Sequence, residues 1–147
     1  MNSMTMMTIL GLTASAALAE HNETGEAQVY FVHLQDGAEV TSPFPVVFGL
    51  KGMGVAPAGV DPSVFKHVGH HHLFVNSTLT ADMAGQVVPA DDSHLHFGGG
   101  QTETTLTLEP GTYQLQLVLA DPYHRIHQPA IASTAISITV KGGGYEN

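Results

Sequence analysis

Three stretches between Thr102 and Val140 carry apolar residues at every second position, and that period restricts them to extended strands. In Thr102-Glu103-Thr104-Thr105-Leu106-Thr107-Leu108 the alternation puts Leu106 and Leu108 on one face. Pro110-Gly111 then turns the chain, and Tyr113, Leu115, Leu117 and Leu119 share the next face. Ile136, Ile138 and Val140 alternate with Ser137 and Thr139 in the same way. No amphipathic helix of useful length interrupts this pattern. Upstream, Gln28 to His33 is a β-branched and aromatic run closed by Asp36-Gly37. Val40 to Pro45 carries two prolines, which suit a sheet edge because proline has no amide hydrogen to donate. Val46 to Leu50 predicts a strand, a long loop spans Gly52 to Gly59, and a further strand runs from near His70 to Val75. Gln86-Val87-Val88 predicts a short strand limited by Pro89. That makes about seven short strands with regular turn signals, the pattern of an all-β sandwich.

Leu108-Glu109-Pro110-Gly111-Thr112-Tyr113-Gln114-Leu115 resembles a tyrosine corner, in which a Tyr near the start of a late strand bonds back across the preceding turn. By that resemblance the expected fold is an immunoglobulin-like antiparallel β-sandwich. The chain has 0 Cys, so the inter-sheet disulfide of antibody domains is absent. Its 147 residues suffice for one domain with a modest core. We assign residues 28–141 to the sandwich and residues 142–147 to a loose tail.

Residues 1–19 read as a secretory signal peptide. The segment has no charged side chain, an apolar centre at Met6 to Leu12, and a small-x-small site at Ala17-Leu18-Ala19. No Lys or Arg precedes the apolar part, and a buried N-terminal helix is the alternative. Export predicts a periplasmic or secreted protein with no membrane span after cleavage. Residues 20–27 are polar and form a flexible lead.

Lys+Arg number 4 against 13 Asp+Glu, a formal net charge of -9, which disfavours nucleic acid as a partner. The 10 His stand out, and without thiolates a metal site must use imidazole, carboxylate, carbonyl or thioether. Only Met53 and Met83 lie in the body of the chain, which argues against a thioether-rich Cu(I) site.

Gly69-His70-His71-His72-Leu73-Phe74-Val75 opens an apolar strand with three imidazoles, and period two sends His70 and His72 to the same face. His94 and His96 form a second H-x-H pair, and His124 and His127 follow the Tyr113–Leu119 strand. In a sandwich these three segments meet at one end, so we expect His70, His72, His94, His96, His124 and His127 to hold a copper or zinc ion. Gly98 to Gly100 would let backbone approach a crowded site. Asp91, Asp92, Glu103 and Asp121 are candidates to ligate or to orient a ring, although Asp91-Asp92 also reads as a solvated pair and Asp121-Pro122 as a turn. His71 is either an interior ring satisfied by backbone or a ligand. His33 reads as structural, His21 as a solvated terminal residue, and His67 as either. The alternative for the whole cluster is a polar, hydrogen-bonded cap.

The run from Tyr30-Phe31 through Asp36-Gly37 and Val46 to Gly59, then Gly69-His70-His71-His72-Leu73 and His94-Leu95-His96-Phe97-Gly98-Gly99-Gly100-Gln101-Thr102-Glu103, resembles the bacterial exported family catalogued as domain of unknown function DUF4399. The resemblance covers nearly the whole chain after residue 19. It implies one domain and export, and no settled activity. The architecture and histidine usage also resemble exported copper-carrying proteins with an immunoglobulin-like fold. Some of those use a free N-terminal amine and a terminal His; here the predicted terminus is Glu20 with His21 second.

Three functions follow. The first is metal carriage or homeostasis, with a periplasmic or envelope protein as a possible exchange partner. The second is a metal-dependent enzyme, since His94-x-His96 followed by Glu103 faintly resembles a cupin metal motif, with Glu103 or Asp92 as base. The third is an envelope interaction module without metal.

Overall fold

The structure is a computed structural model, and it describes residues 26–142. Residues 1–19 and 143–147, and most of the polar lead, lie outside that range, as does His21. Ten strands run in the order β1 (Gln28–Phe31), β2 (Ala38–Thr41), β3 (Phe44–Lys51), β4 (Gly54–Val55), β5 (Val68–Val75), β6 (His94–His96), β7 (Glu103–Leu106), β8 (Gly111–Ala120), β9 (Ile126–Ala132) and β10 (Ile136–Lys141). They form two sheets. The smaller has the order β1-β3-β7. The larger has the order β2-β10-β8-β5-β4, with β6 added beside β5 and β9 beside β8.

The sandwich is as expected, but it has more strands than seven and two of its pairings are parallel. β2 runs parallel to β10 and β4 parallel to β5. The extra strands are short pieces that lean on an existing edge. β4 arises inside the glycine-rich loop, where the amides of Gly54 and Ala56 donate to the carbonyls of His67 and Gly69. The segment 86–88 forms only a bridge from Val87 to Arg125. β9 carries no clear alternation and pairs with β8 through a bulge at Leu119/Ala120.

The alternation places the core. Leu115 and Leu117 of β8, Leu73 of β5 and Ile138 and Val140 of β10 face Val29, Phe44, Val46, Phe48 and Leu106 of the smaller sheet. Apolar burial between the two sheets is the main force holding them together. The C-terminal half of β8 is buried on both faces, because a second cluster of Phe74, Val88, Val118, Ala120 and Ile126 covers the outer face. β5 is buried from Gly69 to Phe74 for the same reason.

The tyrosine corner is present: the Tyr113 hydroxyl donates to the Glu109 carbonyl at 2.9 Å. A neutral hydrogen bond of this kind contributes about 1 kcal/mol. Tyr113→Phe is therefore expected to lower stability by about 1 kcal/mol in urea unfolding with an unchanged m-value. An unchanged midpoint would show that the bond contributes nothing.

Candidate metal centre

The register of β5 decides which histidines meet. His70 pairs with Ala120, His72 with Val118 and Phe74 with Gln116 across β8, while His72 and Phe74 also pair with His96 and His94 of β6. Side chains of paired residues share a face. His70, His72 and His96 therefore lie together on the outer face of the larger sheet, near the start of β5 and the ends of β6 and β8. His71 points the other way, into the space between the sheets, where its ring sits 5.1 Å from that of Phe48. The core side of β5 is thus the side of His71, Leu73 and Val75.

His124 reaches the same face from the turn between β8 and β9. Asp121 shapes that turn: one carboxylate oxygen accepts from the amides of Tyr123 at 2.8 Å and Arg125 at 2.9 Å. The His124 amide donates to the Asp121 carbonyl, and the Val88 amide donates to the His124 carbonyl. His124 takes a left-handed φ of 66°, which aims its ring back over β5. Asp121 is a turn-former that positions His124, and its negative charge also raises the proton affinity of His70 slightly.

Four imidazoles from three remote segments come together. Ring centroids of His70, His72, His96 and His124 lie 4.6 to 6.2 Å apart. The His70 and His72 Nε2 atoms are 3.1 Å apart, and those of His96 and His124 are 3.0 Å apart. Donor atoms of His70, His96 and His124 all lie within 4.8 Å of one another. An ion held at about 2.05 Å by two imidazoles separates their nitrogens by about 2.9 Å at a right angle and about 3.3 Å at a tetrahedral angle. Both Nε2 pairs have that spacing, so the histidine group could hold a metal ion. Among the described residues His70, His96 and His124 are the only group of three or more His, Cys, Asp or Glu so arranged, and the group contains no carboxylate; His72 stands outside this trio and adjoins it through its 3.1 Å contact with His70.

The sequence model of the family described as "Domain of unknown function (DUF4399)" matches residues 46–141, which is more than half of the chain and includes all four histidines. The chain belongs to this family. No curated protein and no solved structure matches it. The DUF4399 match spans β4 to β10 and most of β3, and so includes every strand that frames the cluster.

In this DUF4399 chain the surroundings of His70, His72 and His96 favour the neutral ring. Burial is the main cause for His70, with repulsion from His96 and His124 next, and its pKa falls to about 4. Burial and then repulsion from His70 bring His72 to about 3. Burial lowers His96 as well. Nδ1 of His70 and of His72 are buried without a hydrogen-bond partner. A proton added there would find nothing to share its charge.

This sets a pH dependence for the metal-free protein. The unfolded chain takes up protons at its histidines near pH 6.5, while folded His70 and His72 refuse them until about pH 4 and 3. Stability is therefore full above about pH 6.5 and falls as the solution is acidified, by up to about 1.4 kcal/mol per pH unit for each histidine. We expect the urea midpoint to drop steadily from pH 6.5 to 4.5. A midpoint that holds level over that range would contradict the burial of neutral rings.

Two candidates lie elsewhere. His94 is two residue pairs further along β6, opposite Phe74, and its ring meets the Phe74 ring edge-on at 4.4 Å. Both of its nitrogens are engaged, Nδ1 with Asp91 at 2.6 Å and Nε2 with Ser77 at 3.2 Å. His127 lines a cavity of about 480 Å³ together with His67, Phe65, Lys66, Asp121 and Tyr123. Burial lowers the His127 pKa, and its Nε2 is buried without a partner. His71 is an interior ring, but neither nitrogen has a hydrogen-bond partner, contrary to the expected backbone satisfaction. Burial lowers its pKa, and the Gln101 backbone acts in the opposite direction. His33 follows β1 and is exposed, as is His67. Asp92 and Glu103 are exposed, and Glu103 sits on β7 of the smaller sheet.

One residue outside the histidine set also shapes the cluster. A Cβ on Gly98 would overlap the His96 imidazole. Glycine at that position is what lets the ring lie against the backbone, the close approach expected of the Gly98–Gly100 run.

Proposed function

We propose that this chain binds one copper or zinc ion through His70, His72, His96 and His124 and serves metal carriage or homeostasis in the periplasm. The observation that supports it is the pair of Nε2 contacts at 3.1 and 3.0 Å, drawn from three segments far apart in sequence. Neutral imidazole is a borderline ligand that suits both Cu(II) and Zn(II). Burial keeps His70 and His72 uncharged at neutral pH, so no charging proton has to be displaced; the ring that donates in their Nε2–Nε2 hydrogen bond moves its one hydrogen to Nδ1 to free that lone pair.

The site has an inside and an outside. His70 and His72 are buried, whereas His96 is exposed and His124 half-buried. An ion would enter and leave past the outer pair, the arrangement a carrier needs. Carriage is favoured over a cupin-like enzyme because the clustered donors include no carboxylate to serve as base. Export rests on the character of residues 1–19. Among the described residues no helix is long and apolar enough to cross a membrane.

Calorimetric titration of the metal-free protein with Cu(II) and with Zn(II) tests this reading. One ion per chain, bound tighter than micromolar, is the expected result. No binding tighter than millimolar would leave an envelope interaction module instead. Imidazole ligation alone predicts loss of affinity as pH falls through about 6. With His70 and His72 held near 4 and 3, protons displace the ion from those two only in more acid solution. Gly98→Ala, which pushes the His96 ring out of place, is expected to weaken binding about tenfold or more, the scale seen when a ligand's orientation is lost. Unchanged affinity in that variant would remove His96 from the ligand set.

A further inference from the structure

His94, left out of the metal cluster, completes a different constellation. Its Nδ1 lies 2.6 Å from Asp91 Oδ1, and its Nε2 lies 3.2 Å from Ser77 Oγ. We propose that Ser77, His94 and Asp91 form a serine-centred acyl-transfer site that acts on activated carboxylic esters, independent of the metal cluster.

The hydrogen-bond directions favour it. The same Asp91 oxygen accepts the Ser93 amide at 2.9 Å, so it is an acceptor and His94 Nδ1 carries the hydrogen. In the neutral ring that leaves the Nε2 lone pair facing Ser77, whose hydroxyl donates to it. This is the tautomer in which an imidazole can take a proton from a serine. Asp91 is the positioning residue, and His94 is the base.

The three groups are fixed in place. The His94 side chain is only 9% exposed. The Phe74 ring meets it edge-on at 86° and limits its rotation. Ser77 follows Asn76, which holds a left-handed φ of 53°. Asn76 is bonded twice to Gln114, its amide donating to the Gln114 carbonyl at 2.8 Å and its side-chain oxygen accepting the Gln114 amide at 3.0 Å. The nucleophile and its base are thus each tied to the larger sheet, Ser77 through β8 and His94 through β5.

The reaction balances without any group that the chain lacks. Ser77 Oγ attacks the ester carbonyl carbon while its proton passes to His94 Nε2. The carbon–oxygen bond to the alcohol breaks, and the alcohol leaves with that proton. Water then attacks the acyl-serine, His94 accepts the water's proton and returns it to Ser77, and the carboxylic acid departs.

The test uses the full chain after chelator treatment, so that neither metal binding nor its absence affects the readout. A fluorophosphonate probe is added and the adduct is mapped by mass spectrometry. One adduct on Ser77 is expected, lost in Ser77→Ala and slowed about 100-fold or more in His94→Gln, the range a general base supplies. Asp91→Asn presents an amide to the same ring and is expected to slow labelling about tenfold or more. It carries the test if His94→Gln does not unfold cooperatively. No adduct on Ser77, or a labelling rate unchanged in folded His94→Gln or Asp91→Asn, would overturn the proposal and leave the three residues as a staple between two loops.

Discussion

The His70→Ala/His96→Ala variant loses stoichiometric Cu(II) and Zn(II) binding, with affinity reduced at least about 1,000-fold. Altering a residue that merely orients a ligand costs about 10- to 100-fold in affinity. Removing two ligands must cost more. These two come from different strands that face each other across the cluster, with ring centroids 5.0 Å apart. Either one alone leaves three imidazoles; both together leave His72 and His124, whose rings are 6.2 Å apart. His94→Ala and His127→Ala serve as the contrast. Both residues belong to the six that the sequence nominates, yet one is engaged by Asp91 and Ser77 and the other lines a separate cavity. Each should retain affinity within a few-fold of the unaltered protein. Calorimetric titration of the three variants separates a four-histidine site from a diffuse, histidine-rich surface. Equal losses in all three would support the diffuse surface.

Saturation with the metal raises the unfolding temperature by about 10–20 °C, and a chelator reverses the rise. A ligand that binds only the folded state at 1,000 times its Kd adds about 4 kcal/mol of stability. For a domain of this size each kcal/mol moves Tm by about 3–5 °C. The four donors come from β5, β6 and the β8–β9 turn, so the unfolded chain offers no comparable site. Differential scanning calorimetry with one molar equivalent of Cu(II) or Zn(II), and then with excess, measures the shift. A change below about 2 °C at saturation would mean that the ion does not select the folded state.

Much of this fold is legible in the sequence because a strand's period is short and regular. Leu115, Leu117 and Leu119, and Ile136, Ile138 and Val140, face the core as their alternation requires. The tyrosine corner follows from residue identity and a turn signal. His70 and His72 share a face for the same reason, and pairing between β5 and β8 supplies the rest.

What the sequence conceals depends on register and on cover. Period two alone cannot choose the core side of β5, because both of its faces are buried. The choice is made by Phe48 against His71 on one side and by Val88 and Ile126 over Phe74 on the other. His94 and His96 look equivalent as an H-x-H pair, but one pairs with Phe74 and the other with His72. A step of two pairs along the ladder takes His94 out of the cluster and into contact with Asp91. His127 follows a bulge, which no alternation rule anticipates. The turn that aims His124 could have been suspected from Asp121-Pro122, since an Asp side chain commonly caps its own turn.

X-ray absorption at the metal edge of the loaded protein bears most directly on the four-histidine centre. The account predicts a first shell of about four nitrogen scatterers at about 2.0–2.1 Å, with the outer-shell pattern of imidazole rings. A shell dominated by oxygen, or one with fewer than three imidazoles, would contradict it.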